Sequence, residues 1–321
     1  MNELWMEYPE IGNMLEEVNA LILRSTNDAD EFITEAVSSA VVSSGKMLRP
    51  AFVVLSAKFG DYDKESLLRL AAVTEMLHIA TLVHDDIIDE AKLRRGIESV
   101  QSRYGKDSAV FIGDYLFAKC FTLLSEKQHN KSMEKLANAI LKICRGELKQ
   151  YRLRYMYDVN IMNYLKIITG KTAALFSMSF HIGAAEGNLS DRQIKTLSRI
   201  GYYCGMAFQI IDDCLDYSDK KTIKKSTMND LKQGYLTLPV IYALGKDKDN
   251  KLKHLLETTD FNKTDMETIH DLIMSYDGLT QARQLAKKYT AKAFKLIETL
   301  PASDNRNTLE DIVKKMLHRK Y

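Results

Sequence analysis

An all-α fold is predicted by three features of this 321-residue sequence. Prolines and glycines are scarce, at 4 and 15, so few positions force the chain out of regular structure. Alternating apolar and polar runs, the mark of half-buried strands, are rare, while apolar residues recur at helical spacing nearly throughout. No linker or composition break divides the chain, so a single domain over residues 1–321 is expected. With 45 Lys+Arg against 43 Asp+Glu, the near balance of charge argues against a nucleic-acid partner. Cys120, Cys144, Cys204 and Cys214 fall in helical patterns without a CxxC spacing. They read as small buried hydrophobes in a reducing compartment, not as zinc ligands or disulfides. The N-terminal MNELWMEYPEIG lacks the apolar core of a signal peptide, and no apolar run approaches a membrane span. A soluble, cytoplasmic protein without a transmembrane segment is expected.

Residues 10–43 form two amphipathic helices separated by Ser25-Thr26-Asn27-Asp28. Ser44-Gly45-Lys46-Met47-Leu48-Arg49-Pro50 is a turn leading into an apolar helix, 51–59. Alone, Lys46 and Arg49 read as surface charges. Residues 65–90 make one long helix that is apolar nearly all round, as suits the centre of a bundle. Of its histidines, His84 reads as structural, while His78 could be structural or functional. Gly113-Asp114 opens the next helix, and another runs from Lys131 to about Tyr155. After Asn160 an apolar helix carries Gly170-Lys171-Thr172. A lysine in such a setting is awkward without an anion to meet it, and the glycine-rich loop of a P-loop is missing. Residues 192–217 are a second buried helix. Residues 218–234, with five lysines (Lys220, Lys221, Lys224, Lys225, Lys232), read either as a solvated loop or as a closing lid. Thr237-Leu238-Pro239 starts a further helix, and the tail from Lys246 alternates charge and leucine as peripheral helices do.

The chemistry centres on Thr81–Gly96, TLVHDDIIDEAKLRRG. On a helix Asp85 and Asp89 lie one turn apart on one face, with Asp86 beside them. Such carboxylates repel unless a cation neutralises them, and hard oxygen ligands suit Mg²⁺ completed by water and substrate phosphates. Arg94 and Arg95 follow, planar donors suited to phosphate oxygens. A single DDxxD would read as an acidic helix end. A second copy, Asp212-Asp213-Cys214-Leu215-Asp216, again follows an apolar run and precedes cations. The repetition points to a two-sided metal cage around a diphosphate.

LVHDDIIDEAKLRRG and FQIIDDCLDY resemble the two aspartate-rich motifs of the trans-isoprenyl diphosphate synthases, and SGKMLRP, GELKQ, GKTAALF and DLKQGYLTLP fall in that family's order. The resemblance covers most of the chain. It implies a single bundle of antiparallel helices with both motifs facing a deep central cavity. It makes Asp85, Asp86, Asp89, Asp212, Asp213 and Asp216 the metal site for Mg²⁺, three ions by family analogy. Arg94, Lys171, Thr172, Gln209 and Lys225 would bind the allylic diphosphate, with Lys171, Thr172 and Gln209 closest to the chemistry. Lys46, Arg49, His78 and Arg95 would bind isopentenyl diphosphate. Metals and cations would stabilise the departing diphosphate, and no protein nucleophile is needed.

The resemblance also carries expectations about product and partners. HIATLVHDDIIDEAKLRRG and QGYLTLP look most like the catalytic component of two-component hexaprenyl or heptaprenyl diphosphate synthases, which supply menaquinone side chains. Farnesyl diphosphate is the expected primer. A homodimer, or a heteromer with a small regulatory subunit, is expected, with transient membrane contact for product release. Gly234-Tyr235-Leu236-Thr237 stands where the family often has GK-x-TLP, and Met228 replaces a usual glycine; both point away from the short-chain farnesyl type. Ala80, five residues before Asp85, leaves the path of a growing chain open where short-chain relatives carry a bulky aromatic. Leu77 and Thr74 would lie deeper, with Phe117 or Phe121 as the floor. Ala80 could equally be a small core residue at a close helix crossing. A shorter-chain (geranylgeranyl or farnesyl) synthase and a non-catalytic regulatory subunit are the alternatives within the resemblance. A di-iron bundle would need Glu-x-x-His pairs, absent at both motifs. A terpene cyclase would have no use for Lys46, Arg49 and Arg95.

Overall fold

The computed structural model describes residues 3–27, 31–43, 45–125, 130–217, 228–258 and 261–317, and within them the chain is almost wholly helical. A short helix α1 (Glu3–Met6) precedes α2 (Pro9–Thr26), where proline in the first turn loses no hydrogen bond. Then come α3 (Glu31–Ser43), α4 (Leu48–Ala57) and α5 (Lys64–Ile88). The Asp63 carboxylate caps α5 by accepting from the Ser66 N–H at 2.9 Å. Strands β1 (Leu93–Arg94) and β2 (Ile97–Glu98) pair antiparallel. Arg95 and Gly96 between them have φ of 52° and 80°, as a type I′ hairpin turn requires. The helices α6 (Val100–Tyr104), α7 (Lys106–Ser125), α8 (Asn130–Arg152) and α9 (Ile161–Ile168) follow. A π-helical turn (Thr169–Ala173) leads into α10 (Ala174–Glu186) and α11 (Asp191–Leu215). The rest is α12 (Asn229–Lys232), α13 (Leu238–Leu244), α14 (Lys251–Leu256), α15 (Lys263–Ser275), α16 (Gly278–Ile297) and α17 (Asp304–Leu317). Most of the expected lid, residues 218–227, lies outside the described residues.

The chain separates into two compact units, Met1–Asn138 with Met178–Ser198, and Ala139–Ser177 with Arg199–Tyr321. The first is built on α5, against which α2, α4 and α7 pack. Leu67, Leu70, Val73, Met76, Leu77, Ala80 and Val83 of α5 are all buried, each large side chain contributing about 1.5–3 kcal/mol. That all-round burial explains the unpatterned apolar sequence. By length and composition α5 and α7 both suffice to cross a membrane, against the sequence expectation, although 72% of the most apolar window of α5 is buried inside the protein. α4 is held by a 4.7 Å stack of Phe52 on Phe180 and by Gly183, whose missing side chain leaves room for the Val53 carbonyl. This fixes the start of α4, which carries Arg49. Gly113 does not open a helix as expected. It lies inside α7, where the His84 ring occupies the space a Cβ would need.

The second unit is organised around α13, packed on α9, α15 and α16. The tail from Lys246, read as peripheral, supplies much of its core: Leu252, Leu256, Ile269, Ile273 and Leu279 are buried with Leu238 and Val240. Its charges alternate with leucine because each helix buries one face. Three cysteines are buried as expected, but Cys144 is exposed on α8.

Candidate diphosphate and metal site

The first acidic motif closes α5. Asp85 and Asp89 are half-buried on its last turn, and the Asp89 N–H donates to the Asp85 carbonyl at 2.8 Å. Asp86 differs: it is buried and gripped by Arg94, whose Nε donates at 2.9 and 2.8 Å and whose Nη2 donates at 2.5 Å. Burial works against the Arg94 charge, but the Asp86 hydrogen bond and the charges of Asp86, Asp85 and Asp89 outweigh it and raise its pKa. The hairpin makes this possible by folding Arg94 back onto the helix that precedes it. Its base is tied down where the Ser99 hydroxyl (2.6 Å) and the Gln101 amide (2.7 Å) donate to the Ala91 carbonyl.

Beside this turn the first unit gathers cations. The Arg95 guanidinium lies directly on Gly45, which has φ +100° and no room for a Cβ. Lys46 is exposed, and its carbonyl accepts from the Trp5 indole at 2.8 Å. Burial lowers the Arg49 pKa to about 10, Glu75 pulling it back up and Arg95 lowering it further. Burial and then the charges of Arg49, Arg95 and Arg94 hold His78 well below the usual imidazole range. His78 is therefore a neutral hydrogen-bonding group among arginines, and an anion is the species that relieves their mutual repulsion. The structure thus brings Arg49, His78, Arg94 and Arg95 together. His84 packs against α7, with Nε2 3.2 Å from the Val110 carbonyl and its ring 5.7 Å from Phe117, in keeping with a structural role. Glu75, buried on α5 near Arg49, escaped sequence reasoning because one acid in an apolar helix carries no motif.

In the second unit the π-helical turn holds Gly170-Lys171-Thr172, and such turns recur at functional sites. Gly170 lies so close to α8 that a Cβ would come within 2.5 Å of the Lys142 carbonyl and 2.9 Å of the Gly146 Cα. This approach lets Lys171 reach Glu147 at 3.2 Å and Gln150 at 3.3 Å, which explains Gly-Glu-x-x-Gln on α8. The Thr172 hydroxyl donates to Gln209 Oε1 at 2.6 Å, and Gln209 Nε2 donates to Asp213 at 2.8 Å. The Tyr164 hydroxyl donates to the other Asp213 oxygen at 2.6 Å. Asp213 is thus engaged by protein donors, while Asp212 is exposed and Asp216 half-buried.

This second group is strongly acidic. Burial, with the charges of Asp230 and Asp212, pushes Asp213 up to about 8 despite its hydrogen bonds. Burial and the same two neighbours push Asp216 up to about 6. Burial raises Asp230 as well, with Lys171 lowering it. Carboxylates destabilised in this way fit a hard divalent cation. Among the described residues no group of three or more His, Cys, Asp or Glu forms a metal cage by itself. Tyr164 and Asp230 were not singled out from the sequence. DLKQGYLTLP pointed at the neighbourhood of Asp230, whereas nothing local marked Tyr164. Lys225 lies outside the described residues.

Ala80, Leu77 and Thr74 are fully buried on α5. Phe117 is half-buried on His84, and Phe121 is 42% exposed. The buried residues of α7 at this level are Leu116 and Cys120, whose thiol reaches the Val73 carbonyl at 3.5 Å.

The polyprenyl synthetase family profile matches residues 30–273. Heptaprenyl diphosphate synthase component 2 of Geobacillus stearothermophilus is 35% identical over 290 residues, 89% of this chain and 90% of the relative. Among solved structures, geranylgeranyl pyrophosphate synthase of Lactobacillus brevis superposes with a TM-score of 0.93 at 31% identity, covering 99% of both chains. A Caulobacter crescentus polyprenyl synthase complexed with calcium and isoprenyl diphosphate superposes with a TM-score of 0.89 at 30% identity, covering 97% of this chain and 96% of that one.

Proposed function

The chain belongs to the polyprenyl synthetase family and is a prenyltransferase, and from that premise we propose a long-chain trans-polyprenyl diphosphate synthase. It condenses isopentenyl diphosphate repeatedly onto an allylic diphosphate, farnesyl diphosphate first, to give a hexaprenyl- or heptaprenyl-type product for the menaquinone side chain. The observation that carries this reading is the cluster of Arg49, Arg94 and Arg95 around a neutral His78 beside the α5 carboxylates. It suits a diphosphate and a divalent cation together.

In this reading Asp85 and Asp89 hold Mg²⁺ in one unit, and Asp212 and Asp216 in the other. Asp86 and Asp213 support them from the protein side. Bound Mg²⁺ supplies Lewis-acid neutralisation of the diphosphate as the carbon–oxygen bond breaks. Lys46, Arg49, His78 and Arg95 position isopentenyl diphosphate. Arg94, Lys171, Thr172 and Gln209 orient the allylic diphosphate, together with Lys225. Small Ala80 leaves room for a long chain along α5.

The component 2 relative supports a small partner subunit. Leu141, Cys144, Leu148 and Tyr151, exposed at helical spacing along α8, support a homodimer. The enzyme is placed in the cytoplasm, with transient membrane contact for product release.

The test incubates the purified chain with Mg²⁺, farnesyl diphosphate and labelled isopentenyl diphosphate, then separates the products by length. Long products are expected. Short products alone would favour a geranylgeranyl-type enzyme, and no incorporation with or without a partner subunit would overturn the reading.

A further inference from the structure

We propose that Arg154 is a positioning residue that pins Gln233–Tyr235 to the end of α8 and thereby holds Asp230 beside Asp213, Asp216 and Lys171. The proposal rests on the prenyltransferase reading above and adds a residue that none of the motifs contains. Just past α8 the Arg154 Nε donates to the Gln233 carbonyl at 2.5 Å. Its guanidinium carbon lies 5.0 Å from the Tyr155 ring centre and 5.5 Å from that of Tyr235. The next residue adds a second tie, the Tyr155 N–H donating to the Gly234 carbonyl at 2.8 Å.

The ties demand unusual backbone. Tyr155 has φ +60° and Gly234 φ +81°, and the Tyr155 ring occupies the space a Cβ at 234 would need. A non-glycine residue in the left-handed region is held there by its surroundings. From the pinned segment, short turns run directly to Asp230. The Tyr235 N–H donates to the Asp230 carbonyl at 2.8 Å, and the Gly234 N–H to the Leu231 carbonyl at 2.9 Å. Met228 and Leu231, both buried, anchor the other end. Asp230 therefore sits between a hydrophobic anchor and the Arg154 tie. Only a planar guanidinium can donate in its plane to a carbonyl while stacking on rings; an ammonium cannot.

The experiment measures amide hydrogen exchange and steady-state kinetics for wild type, Arg154→Ala, Arg154→Lys, Asp230→Asn and the double variant Arg154→Ala/Asp230→Asn. Arg154→Ala should speed exchange at Gly234 and Tyr235 about tenfold or more. It should raise the KM for farnesyl diphosphate or the Mg²⁺ requirement about tenfold, with the KM for isopentenyl diphosphate within about twofold. In the Asp230→Asn background the same change should have less than about a twofold effect, because its route is already cut. Arg154→Lys should behave like Arg154→Ala. Wild-type kinetics from Arg154→Lys would mean a charge acting directly on diphosphate, and would overturn positioning. So would unchanged exchange in Arg154→Ala, or additive effects in the double variant. If Arg154→Ala fails to fold, Tyr235→Leu, which removes one stacking face, takes its place with the same expected pattern. A wild type inactive both with and without a partner subunit would defeat the reading above, and calorimetric titration with Mg²⁺ and inorganic pyrophosphate then carries the test. About tenfold weaker binding by Arg154→Ala supports positioning, and equal binding overturns it.

Discussion

Asp86 and Asp213 occupy the same place in their motifs, and both turn inward onto protein donors, but with opposite electrostatic results. Asp86 meets the Arg94 cation, whereas among the described residues Asp213 accepts from the neutral Tyr164 and Gln209 beside other acids and is pushed up to about 8. Asp85→Ala should leave unfolding within about 0.5 kcal/mol of wild type while cutting turnover by orders of magnitude. Asp86→Ala strands Arg94 and should cost about 1–3 kcal/mol in denaturant unfolding. Near-normal turnover by Asp85→Ala at saturating Mg²⁺ would remove it from the metal site. The raised acid also makes a pH prediction. Its folded value of about 8 lies above the usual carboxylate value of about 3.9, so the folded state binds the extra proton. The stabilisation is complete below the unfolded value and is lost as pH rises through the folded one. Metal-free protein should therefore lose thermal stability between about pH 4 and pH 8, with Asp216 contributing to the early part through its folded value of about 6. Asp213→Asn should flatten that decline, and an unchanged slope in melts across this range would refute the assignment.

At the scale of elements, what places Lys171 is the crossing of α8 with the π-helical turn. Two glycines bring the backbones close enough for Glu147 and Gln150 to reach the ammonium. Gly146→Ala would put a Cβ 2.9 Å from the Lys171 nitrogen and 3.1 Å from the Gly170 Cα. The contact is with backbone, which yields less readily than a side-chain tip. The expected cost is about 1–3 kcal/mol in unfolding, with a raised KM for the allylic substrate. A variant as stable as wild type with an unchanged KM would show that the crossing does not set the position of Lys171. The Arg95-Gly96 hairpin is the matching device in the first unit, since it returns Arg94 to Asp86 within a few residues.

For the whole molecule the measurable consequence is product length. Ala80, Leu77 and Thr74 line successive turns of the buried α5. Replacing Ala80 by phenylalanine should shorten the product distribution while initial turnover persists. Overpacking should cost about 1–3 kcal/mol, which a melt would register separately. An unchanged long-chain distribution from folded, active Ala80→Phe would place the growing tail elsewhere. The half-buried Phe117 and the exposed Phe121 make Leu116, buried on α7, the better second position to vary.

Helical periodicity and the two acidic motifs were legible in the sequence because both are local: apolar spacing reports one helix face, and carboxylates one turn apart share that face. SGKMLRP and GKTAALF were legible only through resemblance, and the structure supplies their physical reasons in the Arg95 seat on Gly45 and the π-helical turn. Other features depend on residues far apart in the chain, and no window of sequence contains them. Tyr164 serves Asp213 across 49 positions, and Arg154 serves Gln233 across 79. Gly113 looked like a helix start because its distant partner, the His84 ring, was invisible in sequence. The α5 sequence alone does not show what covers its apolar surface, whereas the fold packs α2, α4 and α7 around it and buries 72% of its most apolar window. Local pattern determines which elements form and what chemistry they can carry. Burial and charge neighbours are set only when elements meet, so tertiary structure alone decided which aspartates face inward, which histidine lies among arginines and which cysteine is exposed.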